Sequence, residues 1–138
     1  MARGVSCDVM VSTTPRSRIL VVDDNEDAAS SLAMMLEVMG YDVRTAHDGV
    51  EAVRAADEFK PEAAVLDIGL PRLSGYDVAR HIRGHQGSAV LLVAVTGWGT
   101  PEDVKRSHAA GFDHHFTKPA DPERLRALLL EACPPARA

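Results

Sequence analysis

The chain has 138 residues and a formal charge of −5, with 46% hydrophobic, 25% charged and 4% aromatic residues. That is room for one domain with a sizeable core, in globular rather than disordered usage. The acidic balance speaks against a phosphate backbone as partner, and the scarcity of aromatics against a base-stacking platform, so no nucleic-acid partner is expected.

Residues 1–17 read as a disordered N-terminal tail. Asp8 interrupts the apolar residues around it, which removes both a signal core and a lipoprotein reading of Cys7. No stretch approaches the ~20 apolar residues of a bilayer span, so a cytoplasmic protein with no membrane partner is expected. Cys7 and Cys133 stand near opposite ends of the chain and make no stapled framework.

From Arg18 on, short apolar runs alternate with helical periodicity. Ile19-Leu20-Val21-Val22, ending in Asp23-Asp24, suits a strand buried on both faces of a parallel sheet. Leu32, Met35, Leu36 and Met39 then mark a helix that Gly40 stops. Tyr41 to Thr45 alternates like an edge strand, and Asp48 with Glu51 forms a capping-box pattern for a helix to about Phe59. Ala63 to Leu66 is a second buried strand, ending in Asp67, and Ser74 caps a helix carrying Val78 and Ile82. Val90 to Val95 is a third, ending in Thr96. Thr100-Pro101-Glu102-Asp103 starts a helix whose apolar face, Val104 and Ala109, is thin, so this element is expected to be the least firmly packed. His114 to Thr117 is a weak edge strand, and Asp121-Pro122-Glu123 opens a last helix with Leu125, Leu128 and Leu129 as its stripe.

Five strands alternating with five helices predict a doubly wound α/β domain over residues 18–133, with 134–138 as a short tail. No glycine-rich phosphate loop follows the first strand; the residues there are acids, which suit a cation. In such sheets the working site lies beyond the carboxyl ends of the strands, near the switch in strand order. Those ends carry Asp23, Asp24, Asp67, Thr96 and Lys118. With a flavodoxin-like order of 2-1-3-4-5, Asp67 falls beside the acidic pair, and Mg²⁺ is the natural counter-ion. Lys118 can reach the rim of that site, and Thr96 can present a hydroxyl. A carboxylate, a divalent ion, a lysine and a hydroxyl around one point can manage phosphoryl transfer to the carboxylate.

Residues 19–27 (IleLeuValValAspAspAsnGluAsp), 66–71 (LeuAspIleGlyLeuPro), 74–76 (SerGlyTyr), 96–97 (ThrGly) and 117–119 (ThrLysPro) occur in order and at fixed spacing. In these the chain closely resembles the receiver domain of bacterial two-component response regulators. The resemblance implies Asp67 as phosphoacceptor and Mg²⁺ held by Asp24, Asp67 and the main-chain carbonyl of Gly69, with Asp23 acting through water. It also implies Thr96 and Lys118 on the phosphoryl group and a cis Lys118–Pro119 bond. The phosphoryl donor would be a histidine kinase or histidine phosphotransfer protein, and the signal would leave by protein contact. Such a protein is a monomer or weak dimer that catalyses only its own phosphorylation and dephosphorylation, and is not a turnover enzyme. Phosphorylation would draw Thr96 inward and shift the fourth helix and fifth strand.

A receiver cut from a hybrid histidine kinase is the alternative within the family, against which Met1 suggests a natural start. A Mg²⁺-dependent aspartyl phosphatase lacks its second acid, because Gly69 stands at that position, and a flavin module lacks its phosphate loop. His81 and His85 at i, i+4 make at most half a zinc site, with a solvated helix face as the plainer reading. His115 occupies the place where the family usually carries an aromatic switch, which opens the expectation of a pH-dependent swing. Trp98 is expected to lie over the site and slow hydrolysis of the acyl phosphate.

Overall fold

The computed structural model describes residues 16–135 except Pro71 and Trp98. The reading of Trp98, and most of the expected tail, lie outside the described residues. Strands β1 (Arg18–Val22), β2 (Asp42–Ala46), β3 (Ala63–Asp67), β4 (Leu91–Thr96) and β5 (His114–Thr117) form one parallel sheet. Its order is β2-β1-β3-β4-β5, as the sequence predicts. Helices α1 (Glu26–Val38), α2 (Gly49–Phe59), α3 (Gly75–Gln86) and α4 (Pro101–Ala110) connect the strands, and α5 (Pro122–Ala132) follows the last one.

The alternation of side chains along each strand sorts the core into two layers. Leu20, Val22, Ala64, Leu66, Leu92 and Ala94 face α2, α3 and α4. Ile19, Val21, Ala63, Val65 and Val93 face α1 and α5, through Ala29, Leu36, Leu125 and Leu129. Both faces are dry, which explains the continuous apolar runs of β1 and β3.

Several local expectations change in detail. Asp48 caps α2 by accepting from the Glu51 amide at 2.7 Å, but Glu51 Oε1 reaches back to the His47 amide rather than to Asp48. The reciprocal capping box occurs instead at α4, between Thr100 and Asp103. The buried face of α4 is Ser107 and Ala110, with Val104 half-buried and Ala109 exposed; the face is thin, yet one residue out of the expected phase. The described chain also runs slightly past residues 18 and 133, for Ser17 is buried and its amide donates to Pro135 O at 2.9 Å. Among the described residues no helix is long and apolar enough to cross a membrane.

Candidate functional site

The sheet order reverses between β1 and β3, and their carboxyl ends open side by side. The Asp23 amide donates to Ala46 O at 3.1 Å, which ties the end of β1 to that of β2. Asp23 Oδ1 accepts from the Asn25 amide at 2.9 Å, and Asn25 Oδ1 accepts from the Ala28 amide at 3.1 Å to cap α1. This short acidic turn therefore serves two purposes: it starts a helix and stands two carboxylates above the sheet.

Asp67 ends β3 and is only 7% exposed. Its Oδ1 accepts from the Gly69 amide at 3.0 Å, and its Oδ2 accepts from Lys118 Nζ at 3.0 Å. The same ammonium lies 3.9 Å from Asp23 Oδ2. Lys118 is set two strands away by its own amide, which donates to Thr96 O at 2.7 Å, and the Lys118–Pro119 bond is cis. Thr96 is buried at the end of β4, on the same rim.

One carboxylate oxygen from each of Asp23, Asp24 and Asp67 lies within 4.8 Å of the other two. Burial pushes the Asp23 carboxyl above the usual aspartate range. The Asn25 amide and the Lys118 charge oppose that rise, while Asp67 and Asp24 add to it. Desolvation pulls the Lys118 ammonium down, but the hydrogen bond and charge of Asp67, with the charges of Asp23 and Asp24, outweigh it and leave Lys118 above the ordinary lysine value. The three crowded carboxylates form a hard, oxygen-only donor set, with one lysine at its edge. Mg²⁺ fits that set, since it binds through carboxylates and keeps several waters.

Two glycines allow close backbone approaches around the end of β3. A Cβ on Gly75 would stand 2.6 Å from Asp67 O and 2.8 Å from Ile68 Cα, so the start of α3 touches the backbone of Asp67. A Cβ on Gly49 would run into Leu73 O, where the β3–α3 loop crosses the start of α2. Gly75 is legible only as part of the SerGlyTyr segment, and Gly49 has no signal in the sequence. A groove of about 790 Å³ also opens beside the acids, between α1 at Ser31 and Leu32 and the β5–α5 turn at Pro119 and Ala120. Its lining comes from distant segments, so it too is invisible in the sequence.

His115 lies on the α4 side of β5, with Nδ1 2.9 Å from Ser107 Oγ. His81 and His85 lie on α3 and take no part in the acid cluster.

Comparison with known proteins agrees with this fold. The family model described as the response regulator receiver domain matches residues 19–130. The chain is 39% identical over 121 residues to response regulator MprA of Mycobacterium tuberculosis, covering 85% of this chain and 52% of that protein. It thus spans about half the length of this curated relative. The receiver domain protein (CheY-like) from Methanospirillum hungatei superposes with a TM-score of 0.79 at 28% identity, over 85% of this chain and 93% of that one. The receiver domain of the sensor histidine kinase PA1611 of Pseudomonas aeruginosa, solved with a magnesium ion in its active-site cleft, superposes at 0.75 with 31% identity, over 85% and 97%. The chain belongs to the response regulator receiver domain family.

Proposed function

We propose that Asp67 is the phosphoacceptor of a two-component relay. A carboxylate oxygen of Asp67 attacks phosphorus, the nitrogen–phosphorus bond of a partner's phosphohistidine breaks, and the leaving imidazole keeps the electron pair and takes a proton. The partner is a histidine kinase or histidine phosphotransfer protein. The observation that carries this reading is the Lys118 ammonium 3.0 Å from the buried Asp67 carboxylate, where it would meet the charge of an arriving phosphoryl group. Thr96 donates its hydroxyl to the same group.

Asp24, Asp67 and the Gly69 carbonyl would hold Mg²⁺, with Asp23 reaching it through water. When bound, the ion supplies positive charge against the phosphoryl oxygens. The protein then acts as a switch that catalyses only its own phosphorylation and dephosphorylation, and signals by contact with another protein.

A receiver carried by a hybrid kinase has the Pseudomonas neighbour in its favour and uses the same chemistry. The phosphatase reading has none, because Gly69 offers Asp67 only a backbone amide where a second acid is required. The test is titration with beryllofluoride, a phosphoryl mimic, in the presence of Mg²⁺, following the fluorescence of the sole tryptophan. Wild type should show a saturable, Mg²⁺-dependent change and Asp67→Asn none. A response that survives in Asp67→Asn, or a wild type that binds Mg²⁺ and stays silent, overturns the reading.

A further inference from the structure

His81 and His85 stand one turn apart on α3, in the spacing H-x-x-x-H, which puts two imidazoles on one helix face. The sequence alone offers no third ligand. The fold supplies one, because α2 packs beside α3 and brings Asp57 to His81. His81 Nε2 lies 3.0 Å from Asp57 Oδ1 and 3.2 Å from Oδ2. The two imidazole rings stack with centroids 4.1 Å apart and planes 25° from parallel.

The hydrogen bonds fix where the ring protons sit. A carbonyl only accepts, so His85 Nδ1, 2.9 Å from His81 O, carries a hydrogen, and neutral His85 keeps its lone pair on Nε2. Ligating histidines are commonly held in this manner, with the second ring nitrogen donating to a carbonyl or carboxylate. A carboxylate also only accepts, so His81 Nε2 carries the proton that lies between it and Asp57. A metal ion taking that proton's place would meet one imidazole nitrogen and one carboxylate oxygen at once. The side chains of His81 and Asp57 are 24% and 48% exposed and His85 is exposed, so an ion from solvent can reach all three.

We propose that Asp57, His81 and His85 form a binding site for a borderline divalent transition-metal ion, Zn²⁺ by its donor set. Two imidazoles and one carboxylate, completed by water, suit zinc and leave the harder Mg²⁺ to the all-oxygen cluster. In the structure His81 and Asp57 touch directly while the three ligand atoms do not yet converge, so uptake of the ion requires the exposed His85 ring to turn until its Nε2 meets it. The proton of His81 Nε2 leaves, either to Nδ1 of the same ring or to solvent. The bound ion links α2 to α3. This site is independent of the acceptor chemistry of Asp67.

Zn²⁺ is titrated by calorimetry into the full chain, stripped of metal and held in excess Mg²⁺ to occupy the acid cluster. Wild type should take up one equivalent. His81→Ala, His85→Ala and Asp57→Asn should each weaken binding by roughly tenfold or more, the order of loss seen when metal-site support is removed. Asp24→Asn should bind Zn²⁺ as wild type does. Circular dichroism of the metal-free variants checks that the fold persists, and Zn²⁺ should raise the melting temperature of wild type but not of these three variants. No binding by wild type, equal binding by the His81→Ala/His85→Ala double variant, or loss of binding in Asp24→Asn overturns the proposal.

Discussion

Lys118 and Asp67 are separated by 51 residues and two strand positions, yet their charged atoms lie 3.0 Å apart. The contact exists because the Lys118 amide is bound to Thr96 O, which sets the start of the lysine side chain at the rim of β4. Removing the ammonium in Lys118→Met strands a buried carboxylate among two acidic neighbours and, on the proposed function, removes the cation that would meet the phosphoryl group. Phosphorylation by acetyl phosphate should slow by about two orders of magnitude, the usual cost of losing one charge-stabilising donor. Mg²⁺ binding, read by tryptophan fluorescence, should persist. An unchanged rate in Lys118→Met would remove Lys118 from the reacting group.

The acid cluster sets function against stability. Burial holds the Asp23 carboxyl above its unfolded value, so Asp23 favours the fold below the ordinary aspartate range. That contribution is lost as the pH rises through the folded value, and ionised Asp23 strains the metal-free protein at pH 7. Asp23→Asn should therefore be more stable than wild type without Mg²⁺, by about 1 kcal/mol. Added Mg²⁺ should raise the melting temperature of wild type more than that of the variant. Scanning calorimetry with and without Mg²⁺ decides this, and a less stable Asp23→Asn contradicts it.

Gly75 and Gly84 share α3 and should respond oppositely to the same change. Gly75→Ala drives a methyl against Asp67 O and Ile68 Cα, at 2.6 and 2.8 Å, and should cost about 1–3 kcal/mol together with weaker beryllofluoride binding. At Gly84 a Cβ meets nothing within 4 Å, and Gly84→Ala at this exposed position should stabilise the helix by up to about 1 kcal/mol. Urea unfolding of both variants tests the pair.

Tyr41 is buried with its hydroxyl donating to Cys133 O at 2.6 Å, and burial pushes its pKa up to about 12. Because the folded value is raised, the contribution is complete below pH ~10, the unfolded value, and fades as the pH climbs through the folded one. Tyr41→Phe should lose about 1–3 kcal/mol at pH 8. The gap between wild type and variant should narrow toward pH 12. A gap that is constant or widening with pH would refute it.

Ser107 has one hydroxyl proton and two neighbours. It donates to Asp103 O at 3.0 Å, so its oxygen accepts from His115 Nδ1 at 2.9 Å. The ring nitrogen spectrum of His115 should accordingly show a protonated Nδ1 in wild type. Ser107→Ala should change that signature and loosen α4 against β5, seen as faster amide exchange in α4. A His115 ring unaffected by Ser107→Ala would place its partner elsewhere.

Much of the site was legible because its residues sit where the chain punctuates itself. Asp23, Asp24, Asp67 and Thr96 stand at the ends of short apolar runs, Lys118 follows the weaker strand His114–Thr117, and the doubly wound topology sends every strand end to one rim. Less legible were features that depend on which segments meet. Glu51 caps one residue earlier than its spacing suggests, and α4 buries Ser107 and Ala110 where Val104 and Ala109 were the expected face. Periodicity names a face only to within a residue, and packing against the sheet settles the phase.

The acid pair, the helix caps and the order of strands and helices were determined by the sequence itself, since each rests on local chemistry within a few residues. The tertiary structure decided the rest: the Lys118–Asp67 contact, the glycine that lets α3 touch the end of β3, and the meeting of Asp57 with His81. These are relations between residues far apart in the chain. They are set by strand register and helix packing, which no single window of sequence contains.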